Sequence, residues 1–346
     1  MGVTSALSES TMDPTIALKA AAIILPAAAA LLYTFGPGHE DAPERAIVPP
    51  QPEEARLQAT FKHETGSLMR PNNVRLYTQY YYPKTATPKA VVVYLHGING
   101  HGGRFPLAFD DMLKRDYIVG SFDFRGFGRS AGTHGYIADF ADYADDVLAF
   151  LEATRAKFPK QKLFLVGVSF GALVQLYTLL KARDGLIDGS VIHAPPVFLA
   201  PGVKPPLPIE MIARLLVHVV PKLPAIKPHS SKSNSDAVGA RIQAWRESDP
   251  IFYDGRLRLG TAFQMLQATE GIQAQYHKIK APFCLIHGEN DRVCAIEGSN
   301  RFFDAAMSTD KEYIKYPHGE HNILDEPDEA RIVYLNDIAK WIEARV

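Results

Sequence analysis

The chain has 346 residues, of which 47 % are hydrophobic and 22 % charged, the composition of an ordinary globular protein that can bury a large core. Formal net charge is -1 and the basic residues are scattered, which excludes a nucleic-acid surface. Two cysteines, Cys284 and Cys294, are too few for a secreted disulfide scaffold and read as free thiols.

Residues 1–15 read as an amino-terminal tail. From Ile16 to Phe35 the chain is apolar apart from Lys19 and Thr34, and Ala20–Tyr33 (AAAIILPAAAALLY) has no charge. A run of that length can cross a bilayer, so a single-pass transmembrane or signal-anchor helix is expected over 16–35 in a membrane-bound protein. Two alternatives remain open: a signal peptide cleaved from a secreted protein, or an alanine-rich helix lying on a membrane or on the protein itself, as in a peripheral cytoplasmic enzyme. Alanine inserts weakly and Pro26 interrupts the run. The following stretch, Gly36–Glu54, is rich in Pro, Gly and acids without an apolar period, so 36–58 reads as a linker.

The body is expected over 59–346. Strand-like runs at Val74–Tyr82, Ala90–Leu95, Tyr117–Phe124, Leu163–Val168, Gly189–His193, Phe283–His287 and Tyr313–Tyr316 alternate with helical ones. The clearest helix is Ile137–Ala156, where Phe140, Tyr143, Val147, Leu148 and Leu151 share a face. Such alternation predicts an α/β fold with a mostly parallel, doubly wound sheet. The rhythm breaks from Pro195 to about Leu259, a proline-rich interval with a serine-rich piece at Ser230–Ser235, which reads as a cap insertion. Within it Ile209–Leu223 places Glu210, Arg214, His218 and Lys222 four apart, a narrow polar stripe on an otherwise apolar helix. Its apolar face is expected to meet either the body or lipid.

Chemistry enters at LFLVGVSFGAL (Leu163–Leu173), where G-x-S-x-G follows a buried strand and opens a helix. Glycines at Gly167 and Gly171 would let strand and helix pack tightly around a strained Ser169 whose hydroxyl stands clear of the sheet. The pattern arises by chance in about one chain of this length in ten, so partners must be sought. An acid and then a histidine are required after later strands. PFCLIHG is followed by GENDRV with Asp291, and EYIKY by PHGEHNILDE with His318 and His321, of which His321 is preferred because it lies nearer the next helix. Oxyanion donors are expected from the N–H of Phe170 and from Ile98 in the glycine-rich loop HGINGHGG (His96–Gly103). That loop matches no phosphate-binding pattern, and the histidines lack the spacing of helical metal ligands, so no metal and no cofactor are expected.

With LHGING, DFRGFGRS, GVSFG, GENDRV and HGEH in that order, the chain resembles the monoacylglycerol lipase and lysophospholipase group of α/β-hydrolases (serine aminopeptidase S33 type), which also includes caffeoylshikimate esterase. The stretch Ser248–Leu266 is similar to the family's segment after its lid, and His321 stands before Glu326 as the family's histidine stands before its glutamate. The resemblance implies the α/β-hydrolase fold with a helical cap at about 195–259, Ser169 as nucleophile, His321 as general base, Asp291 as its orienting acid, and Ile98 and Phe170 as oxyanion donors. It implies supporting roles for His96, Gly97, Gly167, Gly171, Asp123 and Arg125, with Ser130 in the same loop as the last two. The expected activity is hydrolysis of a monoacylglycerol or lysophospholipid through an acyl-enzyme, with a lipid ester and a membrane as partners and oligomeric state open. The alternatives are an esterase of phenolic or other small esters and a catalytically silent ligand-binding relative. The family elbow usually reads G-H-S-M-G-G, so Val168, Phe170 and Ala172 are departures, as is Ile98 after the HG pair. The bulk of Ile98 and Phe170 is expected to narrow the acyl pocket. Cys294, three residues after Asp291, resembles a thiol near the family's site.

Overall fold

The computed structural model describes residues 14–37, 43–198, 206–226 and 236–346. Most of the expected tail, the acidic residues Glu40 and Asp41, and the serine-rich piece Ser230–Ser235 lie outside the described residues.

Strand β1 (Lys62–Arg70) is followed by β2 (Val74–Tyr82), β3 (Ala90–Leu95), β4 (Ile118–Phe122), β5 (Lys162–Val168) and β6 (Gly189–His193). A short pair, β7 (Pro224–Ile226) and β8 (Leu257–Arg258), precedes β9 (Phe283–Gly288) and β10 (Lys311–Tyr316). Eight of them form one sheet in the order β1-β2-β4-β3-β5-β6-β9-β10. Only the β1-β2 and β2-β4 pairings are antiparallel. The helices are α1 (Pro14–Phe35), α2 (Pro52–Thr60), α3 (Pro106–Lys114), α4 (Ala141–Lys157), α5 (Phe170–Lys181), α6 (Leu207–Leu216), α7 (Asp236–Ser248), α8 (Leu259–Gln273), α9 (Ile296–Ala305) and α10 (Asp328–Glu343).

Parallel strands need crossovers, and crossover helices cover both faces of the sheet, which is why β3 and β9 are buried along their whole length. Successive side chains then serve two cores. Val91, Val93 and Leu95 pack with Val147 of α4 and Leu173 of α5, while Ala90, Val92 and Tyr94 pack with Phe109 of α3 and Ile338 of α10. The parallel strands were readable from their apolar runs. In contrast β1, KHETGSLMR, is an exposed antiparallel edge held by its ladder to β2 and has no apolar run to announce it. The expected helix Ile137–Ala156 begins at Ala141, because residues 137–140 form the loop that seats Phe140 in the core.

From β3 the chain passes to β4 on one side, then returns through α4 to β5 on the other. The strand order therefore reverses between β3 and β5, and the crevice outside their carboxyl ends is where ligands of doubly wound sheets bind. The region read as a cap, inserted between β6 and β9, carries α6, the β7-β8 pair and α7, and residues of α7 line this crevice. The apolar helix expected at Ile209–Leu223 ends at Leu216, short of His218 and Lys222, as the chain tightens into turns before Pro221. Glu210 and Arg214 pair at 2.7 Å on its polar stripe. Glu210 is the buried residue of this helix, while Leu207, Met211, Ile212 and Leu215 are exposed.

The amino-terminal segment departs most from its sequence reading. A helix does form over Pro14–Phe35, with Pro26 inside it. Yet among the described residues no helix is long and apolar enough to cross a membrane, so the single-pass anchor expected at 16–35 is not supported. The physical reason is legible: alanine adds little to insertion, and Lys19 and Pro26 break the run. The carboxyl end of α1 instead meets the cap, where Lys222 donates its backbone N–H to Phe35 O at 3.0 Å. Ile23, Ile24, Leu25 and Tyr33 stay exposed.

Within the stretch read as a linker, residues 45–58 are fastened to the body. Arg45 is buried and donates to Gly128 O, Ser130 O and Gly132 O at 2.9, 2.7 and 2.8 Å. Glu54, on α2, forms a two-pronged pair with Arg129 at 2.9 and 3.2 Å, both side chains almost fully buried. Removing one partner of such a pair strands the other charge away from water. Glu54→Gln should therefore lower unfolding stability by about 3 kcal/mol, measured by urea denaturation.

Candidate active site

Ser169 joins β5 to α5 with φ 55° and ψ -119°, a backbone conformation that a side-chain-bearing residue avoids unless its surroundings impose it. Two glycines make that possible by letting chains approach. A Cβ on Gly171 would lie 2.4 Å from Leu95 O, and one on Gly167 would lie 2.8 Å from Gly171 O. Ser169 N–H is fixed on His193 O of β6 at 2.9 Å. The helix thus starts hard against the end of β3, and the serine hydroxyl is lifted into the crevice.

There it meets residues from two other strand ends. Ser169 Oγ lies 2.9 Å from His321 Nε2, and His321 Nδ1 lies 2.7 Å from Asp291 Oδ2. Asp291 follows β9 and His321 follows β10, which pair in register. His318, the other candidate of that loop, is exposed and outside the crevice. Every acceptor position of Asp291 is used: Oδ1 takes the N–H groups of Val293 and Cys294 at 2.7 and 2.9 Å, and Oδ2 also faces His287 Nε2 at 3.1 Å. His287 is held in turn by Ser299 Oγ at 2.7 Å. No sequence pattern singles out His287, since it sits inside the buried strand β9 and its contact depends on where Asp291 folds back.

Burial alone would raise the Asp291 pKa, but hydrogen bonds from His287 and His321 outweigh it and keep the carboxyl below its usual range. Burial works against charge on His321 too, yet Cys294 and Asp291 together raise its pKa above that of a free imidazole. Burial raises the pKa of the Cys294 thiol as well, against the pull of His321 beside it. Sulfur, imidazole and carboxylate ligand atoms of Cys294, His321 and Asp291 converge within 4.8 Å, a donor set suited to a soft cation. Two of these atoms, however, are already bonded to each other.

The glycine-rich loop after β3 forms the opposite wall. His96 is buried, with Nδ1–H donating to Gly97 O at 2.8 Å and Nε2 accepting from Phe124 N–H at 2.9 Å, and burial lowers its pKa to about 3. A neutral ring therefore ties this loop to the DFRGFGRS loop. Asp123 fixes the same junction by accepting from Gly102 N–H and Arg129 N–H, both at 2.7 Å. Gly97 sits so close to the elbow that an added Cβ would be 3.7 Å from Ser169 Cβ. Ile98 lines the crevice, and Phe170 N–H, in the first turn of α5, has no partner within its helix. The Phe170 ring does not narrow the pocket as expected from its bulk. It is fully buried among Phe124, Phe140 and Tyr143. Arg125 is likewise remote from the crevice, paired with Asp146 at 2.7 Å and with Asp142.

Together these walls enclose a cavity of about 280 Å³ that reaches Ser169 and His321 and extends under the cap to Trp245, Arg246, Phe252 and Tyr253. A hydrogen-bonded serine, histidine and aspartate on three strand ends of a mostly parallel sheet match the arrangement of an α/β-hydrolase. The chain belongs to the serine aminopeptidase, S33 family of hydrolases, whose sequence profile matches residues 86–328. It is similar to the monoglyceride lipase of Homo sapiens, with 27 % identity over 78 % of this chain and 87 % of that one. It is also similar to the caffeoylshikimate esterase of Arabidopsis thaliana, with 28 % identity over 85 % and 90 %. Among solved structures, a soluble variant of the Saccharomyces cerevisiae monoglyceride lipase in complex with a substrate analog has the same fold, with TM-score 0.69, 21 % identity and coverage of 84 % and 97 %.

The Asp291–His321 pair carries a spectroscopic signature. In an NMR titration the His321 ring should titrate above the value of about 6.5 typical of a free imidazole, because Asp291 favours its charged form. Asp291→Asn removes that charge while burial persists, so the titration should move to lower pH.

Proposed function

We propose that this chain is a serine hydrolase of lipid esters, cleaving the acyl ester of a monoacylglycerol or lysophospholipid. The observation that carries the reading is the unbroken chain Ser169 Oγ, His321, Asp291, with bonds of 2.9 and 2.7 Å, opening into a capped cavity. In this reading His321 Nε2 takes the Ser169 proton as Oγ attacks the ester carbonyl, and Asp291 holds the ring and steadies the imidazolium. The N–H groups of Ile98 and Phe170 receive the oxyanion. Collapse breaks the ester bond and expels the alcohol, which leaves with the proton from His321. Water then attacks the acyl-Ser169 ester, His321 accepting its proton and returning it to Oγ as the carboxylic acid departs.

The lipid character rests on the names of the relatives and on the apolar surface around the cap. Leu207, Met211, Ile212 and Leu215 form an exposed apolar face on α6, exposed Ile23, Ile24 and Leu25 spread an apolar surface around α1, and the end of α1 is bonded to the cap at Lys222. We assign these surfaces to the interface of a bilayer, which the enzyme would enter from one side without spanning it. A phenolic-ester specificity, like that named for the Arabidopsis relative, is the second reading; the same three residues would serve it.

Ser169→Ala should reduce turnover of 1-oleoylglycerol by about 10⁶-fold and abolish labelling by a fluorophosphonate. Near-normal turnover in that variant would refute the assignment of the nucleophile, and faster hydrolysis of caffeoyl esters than of acylglycerols would overturn the lipid reading. For the surface, the double change Ile212→Glu with Leu215→Glu should weaken flotation with phosphatidylcholine vesicles at least 10-fold, since each buried aliphatic side chain contributes about 1.5–3 kcal/mol.

A further inference from the structure

Two arginines reach the cavity with hydrogen-bonding capacity unspent. Arg104 ends the short helical turn Gly102–Arg104 after the glycine-rich loop, and Arg246 comes from α7 of the cap. The Arg104 guanidinium lies 3.3 Å from the centre of the Trp245 ring and 4.4 Å from that of Phe252, and Arg246 lies 5.6 Å from the same Phe252 ring. Aromatic faces hold both planes and leave their N–H edges free. Arg104 Nη1 and Arg246 Nε are buried and have no hydrogen-bond partner. Both side chains line the cavity that holds Ser169 and His321.

Nearby carboxylates have other bonds. Asp249 is taken by His101 Nε2 at 2.9 Å and by Ile251 N–H, Asp325 accepts from Asn322 Nδ2 at 2.6 Å, and Glu326 accepts from Glu320 N–H. Desolvation lowers the Arg104 pKa even though Asp249 and Asp325 act to raise it, the mark of a buried cation short of opposite charge. An unsatisfied buried donor is costly, and an anion entering the cavity would remove that cost.

We propose that Arg104 and Arg246 clamp an anionic group, a phosphate or a carboxylate, on the alcohol portion of the ester cleaved at Ser169. The acyl portion is apolar in the lipid reading, so the charge must sit on the leaving alcohol. Guanidinium forks match phosphate and carboxylate oxygens in pairs, which a glycerol hydroxyl cannot exploit to the same extent. Because one arginine belongs to the body and the other to the cap, the same contact would draw the cap onto the bound substrate. This inference rests on Ser169 being the nucleophile and narrows the substrate class within that reading.

The test uses the full chain and compares kcat/KM for 1-oleoyl lysophosphatidic acid, for 1-oleoylglycerol and for an oleoyl ester of glycerate. Preference for the lysophosphatidic acid over 1-oleoylglycerol identifies a phosphate, and preference for the glycerate ester a carboxylate. In Arg246→Gln, and in Arg104→Gln, the ratio of anionic to neutral kcat/KM should fall roughly 10- to 100-fold, with the loss mainly in KM. If either variant fails to fold, wild-type protein decides: glycerol 3-phosphate should compete against 1-oleoylglycerol and glycerol should not. Serine-dependent hydrolysis with no anion preference and no competition by glycerol 3-phosphate would overturn the clamp alone. Hydrolysis that survives Ser169→Ala would overturn the underlying reading instead.

Discussion

The close approach of α5 to the end of β3 is the constraint on which the rest of the site depends. Gly171 packs where any Cβ would strike Leu95 O and His96 O, and this contact fixes both the elbow and the start of the glycine-rich loop in a single stroke. The Ser169 backbone is held in a conformation that costs about 1–3 kcal/mol, and the bond to His193 O together with the helix behind it keeps the strain from relaxing. Pairing of Leu95 with Gly167 in the sheet then brings the loop at Ile98 beside the serine. Hydroxyl and candidate oxyanion donors are therefore positioned by main-chain packing, which tolerates changes in the neighbouring side chains. That is why Val168 and Phe170 can differ from the usual family elbow while the geometry stands.

A second layer of organisation joins this loop to the cap. His101, in the same glycine-rich segment, is bonded within the interior to Asp249 at the end of α7, and Asn99 O accepts Tyr253 N–H at 3.0 Å. Below, Asp123 and His96 tie the segment to the DFRGFGRS loop. A single stretch of eight residues, His96–Gly103, thus carries the cavity wall, two bonds to the cap and the link to the next strand's loop. Displacing the cap would pull on the segment that holds Ile98, so cap position and site geometry are mechanically coupled.

Sequence reading succeeded where burial imposes a pattern. The parallel strands were visible as apolar runs, and the order of Ser169, Asp291 and His321 along the chain pointed to three residues that the structure brings within hydrogen-bond distance. It missed features that depend on long-range pairing. The exposed β1 has no period to read, and His287 looks like any residue of a buried strand until Asp291 turns back onto it. Arg104 and Arg246 are far apart in sequence, and only the packing of Trp245 and Phe252 of the cap against Arg104 unites them. Bulk also misled: Phe170 was expected to shape the pocket, but the first turn of α5 directs its ring into a cluster of aromatic neighbours.

The amino terminus gains meaning from the same long-range contacts. Arg45 and Glu54 grip the Gly128–Gly132 segment and Arg129, so residues 45–58 are held to the body. At its other end α1 is pinned to the cap through Phe35 and Lys222. That bond keeps the carboxyl end of α1 beside the cap. Two exposed aliphatic helices held to one structural unit present more apolar surface than either alone, and binding free energy to a lipid surface grows with that area. On the proposed reading, the segment resembling a membrane span acts sideways: it extends the cap's interfacial surface and orients the catalytic crevice toward the layer from which the substrate is drawn.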